Sequence, residues 1–356
     1  MKLLHVTATH LKPDGGVPVV LKELVTAQNH IKDVTSTVIS LVAPVDAMNS
    51  KYFEFVPNEK FEKFVLEYKP DFVILHSFYY VEYNNVVRIL KKLGIKYFIE
   101  PHGSFGRSAM KKSWFKKKVA NNTVFRGQIK NSFGYIFLNE SEKEDSIYRT
   151  NNDLVIPNGI NTKEIIQEIE KEDDFSFYFI GRYDIKHKGL DYMLDAFEIL
   201  DQKKYTYVIN MWGNGNEGAV KYIRNRIKEF KYISVNCNMS IYGKKKDNIL
   251  EQHGPMILTS RYEGFPMTIL EAWAYGNPCI VTPGTNVFDE VIENNLGWGS
   301  KLNAESIASR MITAAKDYEK NRIDYIKSCK KYVIENYTWN RIAEKSISNL
   351  QMLQST

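Results

Sequence analysis

The chain has 356 residues, 44% of them hydrophobic and 25% charged, and 48 basic against 42 acidic side chains leave a net charge of +6. That length fits two domains, and the mixture is too apolar and too weakly charged for an intrinsically disordered chain. The longest apolar runs, such as Phe72–Leu75 and Met256–Leu258, fall far short of the ~20 residues that cross a bilayer.

The N-terminus, MKLLHVTATH, has one Lys and then a β-like run. It lacks the apolar core and cleavage site of a secretory signal. In the first half, strand patterns fall at Leu3–Ala8, Ser36–Val42, Phe72–His76, Tyr97–Glu100, Tyr135–Leu138 and Leu154–Ile156. Their Val, Ile, Phe and Tyr content suits buried strands. Helical patterns at Val19–Asn29 and Tyr80–Lys92 lie between them, the alternation of parallel βαβ units. A turn signal at Pro157-Asn158-Gly159 and a charged stretch, Asn161–Asp174, mark a domain boundary. A second series of strand patterns follows at Phe175–Gly181, Tyr207–Trp212, Ile233–Asn236, Met256–Thr259 and Pro278–Thr282. Helical patterns at Ala304–Asp317, Arg322–Glu335 and Asn340–Gln354 end the chain. The reading is α/β, with residues 1–160 and 161–336 as two doubly wound Rossmann-like domains and an interdomain cleft. Residues 337–356 form a helix returning to the first domain. Ligands in such folds sit beyond the carboxyl ends of the strands, so the loops there are where chemistry is sought.

Four such loops stand out. Thr9–Val17 ends on Asp14, Gly15 and Gly16 ahead of a helix; paired glycines let a backbone approach a phosphate, although a ligand-free turn would use the same residues. It is not GxGxxG, so the nicotinamide fingerprint is absent. Glu100-Pro101-His102-Gly103 places a His at a strand end, suited to hydrogen bonding or to backbone satisfaction alone. Gly181–Leu190 (GRYDIKHKGL) offers a guanidinium and lysines fit for a diphosphate, or a solvated basic turn. Ser260–Ala272 runs from a strand through a Gly-containing turn into a helix, with Pro266 near its first position. The N–H groups of Phe265, Met267 and Thr268 are expected to form an anion cradle. Glu263 and Glu271 flank it as acceptors for sugar hydroxyls, where each alone could be a cap or a helix-start Glu.

Taken in order, these segments resemble the retaining glycosyltransferases of family 4, bacterial polysaccharide-type enzymes of GT-B fold. Glu263 and Glu271 in EGFPMTILEA match the Glu-x7-Glu signature, and GRYDIKHKGL resembles the diphosphate segment. VIPNGI (Val155–Ile160), Gly15-Gly16, Pro101-His102-Gly103 and NPCIVTPGTNVFDEVIENNLGWG also match. The resemblance implies transfer of a sugar from a UDP- or GDP-linked donor to an acceptor hydroxyl with retained anomeric configuration. It assigns catalysis to His102, Arg182, Lys188 and Glu263. It assigns donor binding to Gly15, Gly16, Arg182, Lys188, Gly264, Phe265, Pro266, Met267, Thr268 and Glu271. One extra residue between Arg182 and Lys188 leaves both Lys186 and Lys188 as diphosphate partners. There is no DxD, and none of the seven His lies in a ligand-spaced cluster. No metal and no cofactor are expected.

Arg107–Lys130 carries Lys111, Lys112, Lys116, Lys117 and Lys118 with Trp114 and Phe115 interleaved and no acidic residue. By resemblance it lies on the acceptor side. The pattern suits an anionic membrane surface, or a helix packed on its own domain. Cys237, Cys279 and Cys329 have no CxxC spacing, which fits a reducing compartment. The expected function is therefore a cytoplasmic transferase, peripheral at the inner face of the plasma membrane. It would act on a glycan or lipid-linked glycan for capsule, exopolysaccharide or O-antigen. A GT-B epimerase acting on nucleotide-sugars and a non-catalytic nucleotide-sugar-binding subunit are the alternatives. Nucleic acid is not an expected partner, for want of a motif.

Overall fold

The computed structural model describes residues 1–8, 16–42, 50–107, 114–161, 175–252 and 254–354. Gly15, Lys111, Lys112 and most of the charged linker lie outside them. The chain divides into two compact units, Met1–Gly159 with Trp339–Thr356, and Ile160–Thr338.

The first unit is built on β1 (Lys2–Thr7), β2 (Thr35–Ser40), β3 (Phe53–Phe55), β4 (Phe72–His76), β5 (Tyr97–Glu100), β6 (Gly134–Phe137) and β7 (Leu154–Val155). They form one sheet in the order β3-β2-β1-β4-β5-β6-β7, parallel throughout. A parallel sheet is covered by helices on both faces. Every residue of β4 and β5 is accordingly buried, and Leu4, Val6, Val73, Leu75 and Ile99 join one apolar core. The C-terminal helix Trp339–Gln354 belongs to this unit and packs against helix Gly16–Gln28.

The second unit contains β8 (Phe177–Ile180), β9 (Val208–Gly213), β10 (Ser234–Met239), β11 (Met256–Leu258), β12 (Cys279–Val281) and β13 (Gly297–Gly299). Their order is β10-β9-β8-β11-β12-β13, again parallel. Strand order reverses beside β1 in the first sheet and beside β8 in the second. A doubly wound sheet opens a crevice where its order reverses, at the carboxyl ends of the strands.

Two strands were not legible in the sequence. β3 is three residues long. In β13, glycines occupy both ends of Gly-Trp-Gly; at Gly297 (φ 144°) a Cβ would lie 2.0 Å from the Cys279 carbonyl oxygen. A glycine that lets two strands touch looks like a turn residue in a propensity reading.

Candidate functional site

At the reversal point of the second sheet, the loops after β8 and β11 are pressed together. Gly189 (φ 64°) ends the first loop, and a Cβ there would stand 2.0 Å from the Thr259 carbonyl oxygen. Thr259 Oγ1 donates to the carbonyls of Lys188 (3.0 Å) and Gly189 (3.2 Å). The Arg261 N–H donates to the His187 carbonyl at 2.9 Å. This stitching carries Lys188 Nζ to 2.5 Å from Glu263 Oε1. Ser260 Oγ donates to the same carboxylate oxygen, and Asn286 Nδ2 holds the Glu263 carbonyl.

Lys186 and Lys188 have different surroundings. Lys186 Nζ bonds Asp191 Oδ2 at 2.8 Å, and Asp191 also takes both Arg261 nitrogens at 2.7 and 2.8 Å. Burial pushes the Asp191 carboxyl up, but these donors outweigh it and hold it at about 2. Arg182 lines an open hollow of about 710 Å³ with Tyr183, Asn214, Gly215 and Asn216. Its Nη2 lies 3.4 Å from His187 Nδ1, and the His187 ring stacks on Tyr262 at 4.2 Å. Arg261, Ser260 and His187 were missed as site builders; a polar run at two adjacent strand ends was the signal for them.

Glu271 is the fifth residue of helix Met267–Ala274. Its Oε1 receives Lys246 Nζ at 2.6 Å, a partner that no motif announced. The turn before the helix departs from expectation in one respect, the Met267 N–H. Pro266 precedes the helix with ψ 80°. The Met267 N–H donates to the Phe265 carbonyl at 3.0 Å, so one donor of the expected anion cradle is already used. Gly264 has open space where a Cβ would stand, and Thr268 lies in the first turn. The structure thus brings Lys188 and Glu263 into contact, whereas Arg182 and Glu271 are seen with partners of their own. A cation, a carboxylate and a guanidinium-lined hollow at one set of strand ends suit a ligand that is anionic in one part and hydroxylic in another.

In the first unit Gly16 opens helix Gly16–Gln28. His102 follows β5 at φ 47°, a backbone conformation that costs a non-glycine residue about 1–3 kcal/mol and gathers at functional sites. Gly103 N–H beside it donates to Glu142 Oε1 at 2.6 Å, and Leu138 N–H to Glu142 Oε2 at 2.7 Å. Glu100 Oε1 lies 3.6 Å from His102 Nδ1, and Glu100 Oε2 lies 3.2 Å from His76 Nδ1. His76, Glu100 and His102 each offer an atom within 4.8 Å of the others. This corrects the reading that no histidine is clustered. β4 pairs with β5 so that His76 is opposite Glu100, a juxtaposition invisible to spacing along the chain.

Helix Trp114–Asn122 carries the described part of the basic segment. Trp114, Phe115 and Val119 are 54%, 70% and 48% exposed, so about half or more of each is left uncovered. Lys118 Nζ lies 4.8 Å from the Trp114 ring centroid and Lys117 Nζ 5.4 Å from that of Tyr79. Among the described residues no helix is long and apolar enough to cross a membrane.

Residues 161–332 match the family model "Glycosyl transferases group 1", and the two parallel α/β units are those of the GT-B fold. The lipopolysaccharide 1,6-galactosyltransferase of Escherichia coli K12 is 30% identical over 135 residues, 35% of each chain. An uncharacterized glycosyltransferase of Methanocaldococcus jannaschii is 26% identical over 237 residues, 63% of this chain and 60% of that one. The chain thus spans about a third of the length of the first of these relatives. The crystal structure of Anabaena HepE in complex with UDP aligns over 99% of this chain and 100% of that one, with TM-score 0.75 at 15% identity. At that identity the likeness is one of fold.

Proposed function

We propose that the protein is a retaining hexosyltransferase that moves a sugar from a UDP- or GDP-linked donor to an acceptor hydroxyl. The observation that carries this reading is the Lys188–Glu263 contact at the reversal point of the sheet that matches the transferase family, with Arg182, on the same loop as Lys188, lining a hollow. In this reading Arg182 and Lys188, or Lys186 in its place, meet the diphosphate, whose negative charge grows as the glycosidic bond breaks. Cations fixed there before reaction stabilise that charge, commonly the largest catalytic contribution. Their charge lets the reaction run without a divalent cation. Glu271 accepts from the ribose hydroxyls and Glu263 from the transferred sugar. Gly15, Gly16 and the Gly264–Thr268 turn approach the donor, and His102 hydrogen-bonds the sugar. In this reading the acceptor attacks on the face from which the diphosphate leaves, which keeps the anomeric configuration.

The acceptor is proposed to be a lipid-linked glycan of surface-polysaccharide synthesis. The lipopolysaccharide relative supports the glycan. The exposed Trp114, Phe115 and lysines, with Lys111 and Lys112 preceding them, support work at an anionic cytoplasmic leaflet. A thermal-shift screen of nucleotide-sugars tests the donor: saturation at 100 times Kd stabilises by about 2.7 kcal/mol. Anomeric NMR of the product then reads the stereochemistry. No shift with any nucleotide-sugar, or an inverted product, ends the reading.

A further inference from the structure

A buried chain of polar side chains runs through the first unit from the C-terminal helix to His102. We infer that Glu100 is held as a neutral carboxylic acid against the lone pair on Nδ1 of His76, so that His102 meets its ligand as an uncharged imidazole. Only the role of His102 rests on the transfer reading; the protonation pattern stands on the hydrogen bonds and burial of the first unit.

The deduction starts at Ser346, whose single hydroxyl proton goes to the Ala343 carbonyl at 2.8 Å. Ser346 Oγ must therefore accept from Gln28 Nε2, 3.1 Å away, which fixes the orientation of the Gln28 amide. Gln28 Oε1 then faces Ser36 Oγ at 2.7 Å and His5 Nε2 at 3.1 Å. An amide oxygen only accepts, so His5 carries its proton on Nε2. Burial and the neighbouring His76 hold the His5 ring down at about 3, hence neutral, and its Nδ1 is a lone pair. His76 Nε2, 2.8 Å from that lone pair, must donate to it. Burial holds His76 at about 3 as well, which leaves a lone pair on its Nδ1. That nitrogen makes no hydrogen bond, and the group standing against it is Glu100 Oε2, 3.2 Å away. An ionised carboxylate would set lone pair against lone pair inside the core. A carboxylic acid removes the conflict.

The surroundings agree. Glu100 is 6% exposed, and burial raises its proton affinity. Its titratable neighbours are His76 on β4, His102 on the following loop, and Glu142, whose two accepted backbone N–H bonds oppose the upward push of burial. An ionised Glu100 would raise Glu142 further. Burial, aided by His76 and opposed by Glu100, lowers the proton affinity of His102; a neutral Glu100 removes the opposing influence. His102 Nε2 is also without a partner. The consequence for transfer is electrostatic. A sugar leaving its diphosphate develops oxocarbenium character, and an imidazolium against it would oppose that charge. Glu100 and His76 are thus positioning residues.

The test is imidazole ¹⁵N NMR on the full chain without ligand. His5 and His76 are expected as neutral rings protonated on Nε2, unchanged as pH falls through about 6.5, where an exposed histidine titrates. A His76 ring protonated on Nδ1, or an imidazolium at neutral pH, overturns the proposal, since an ionised Glu100 demands one or the other. Glu100→Gln should leave both signals in place, because a neutral carboxamide sets no negative charge against the His76 lone pair; displaced signals in this variant count against the proposal. The infrared difference spectrum of wild type against Glu100→Gln should contain the C=O band of a protonated carboxyl, and its absence overturns the proposal. So would a stoichiometric transition metal retained by wild type and lost from Glu100→Gln, a cation then standing where the proton is placed. None of these readouts involves a nucleotide-sugar, so they fail independently of the transfer reading.

Discussion

Lys188 and Glu263, 75 residues apart in sequence, meet at 2.5 Å with 12% and 10% of their side chains exposed. So enclosed a pair is costly to break, because the remaining charge stays buried without its partner; typical losses are about 3–5 kcal/mol. Lys188→Ala is expected to lower stability on that order and to slow transfer by roughly 10²–10³-fold. The double variant Lys188→Met/Glu263→Gln separates the two effects. It should recover much of the melting temperature and none of the rate. Recovered transfer in the double variant would make the pair structural only.

Arg182 lines the hollow with no acidic partner among the contacts described. Arg182→Ala should therefore change stability by no more than about 0.5 kcal/mol, as surface substitutions commonly do, while the chemical step slows by roughly 10²-fold or more. Thermal unfolding and single-turnover transfer, measured side by side, decide it. A large drop in melting temperature with unchanged turnover would reassign Arg182 to the fold.

Glu271 holds Lys246 at 2.6 Å with 21% of its own side chain exposed. Ribose hydroxyls would compete for the same carboxylate. Glu271→Ala should weaken UDP or GDP binding by about 1.5–3 kcal/mol, the usual worth of hydrogen bonds to a charged group, or roughly 10–150-fold in Kd. Titration calorimetry reads this directly, and unaltered nucleotide affinity would remove Glu271 from the donor site.

What the sequence disclosed and what it hid follow one physical rule. Strands such as Phe72–His76 and Tyr97–Glu100 are short apolar runs buried on both faces, so composition alone marks them. The strand-end loops were visible because Gly, Pro and charge interrupt those runs. Pairings between loops were not. Lys246 with Glu271, and Arg261 with Asp191, depend on which strands become neighbours. The histidine chain is the clearest case. His5, His76 and Glu100 sit on three strands adjacent in the sheet, and each looks like an isolated polar residue in its own segment.

The basic helix gives a test that needs no substrate. Trp114 and Phe115 are exposed beside Lys116 and Lys118, and each cation near an anionic leaflet contributes about 1 kcal/mol. Changing Lys116, Lys117 and Lys118 to Glu should abolish co-sedimentation with phosphatidylserine-containing vesicles and leave soluble donor binding intact. Vesicle binding that persists in the variant would assign this face another role.

The buried histidines also fix how stability responds to acid. His5 and His76 bind protons at about 3 when folded and near 6.5 when unfolded. Below 6.5 the unfolded chain therefore holds more protons, and folding weakens as pH falls from about 6.5 toward 3, by up to about 1.4 kcal/mol per pH unit for each ring. Glu100 works in the opposite sense: its raised proton affinity favours the folded state at low pH and loses that advantage as pH rises through its folded value. Asp191, held at about 2, adds a loss only below its unfolded value near 3.8. Between about pH 6.5 and 5 the two rings, joined by His102, which burial also lowers, outnumber Glu100 and Glu142, which burial raises. Melting temperature should therefore fall across that window in the wild type and fall less in His5→Gln. A wild-type melting temperature flat from about pH 7 to 5 would mean that these rings are not buried neutral.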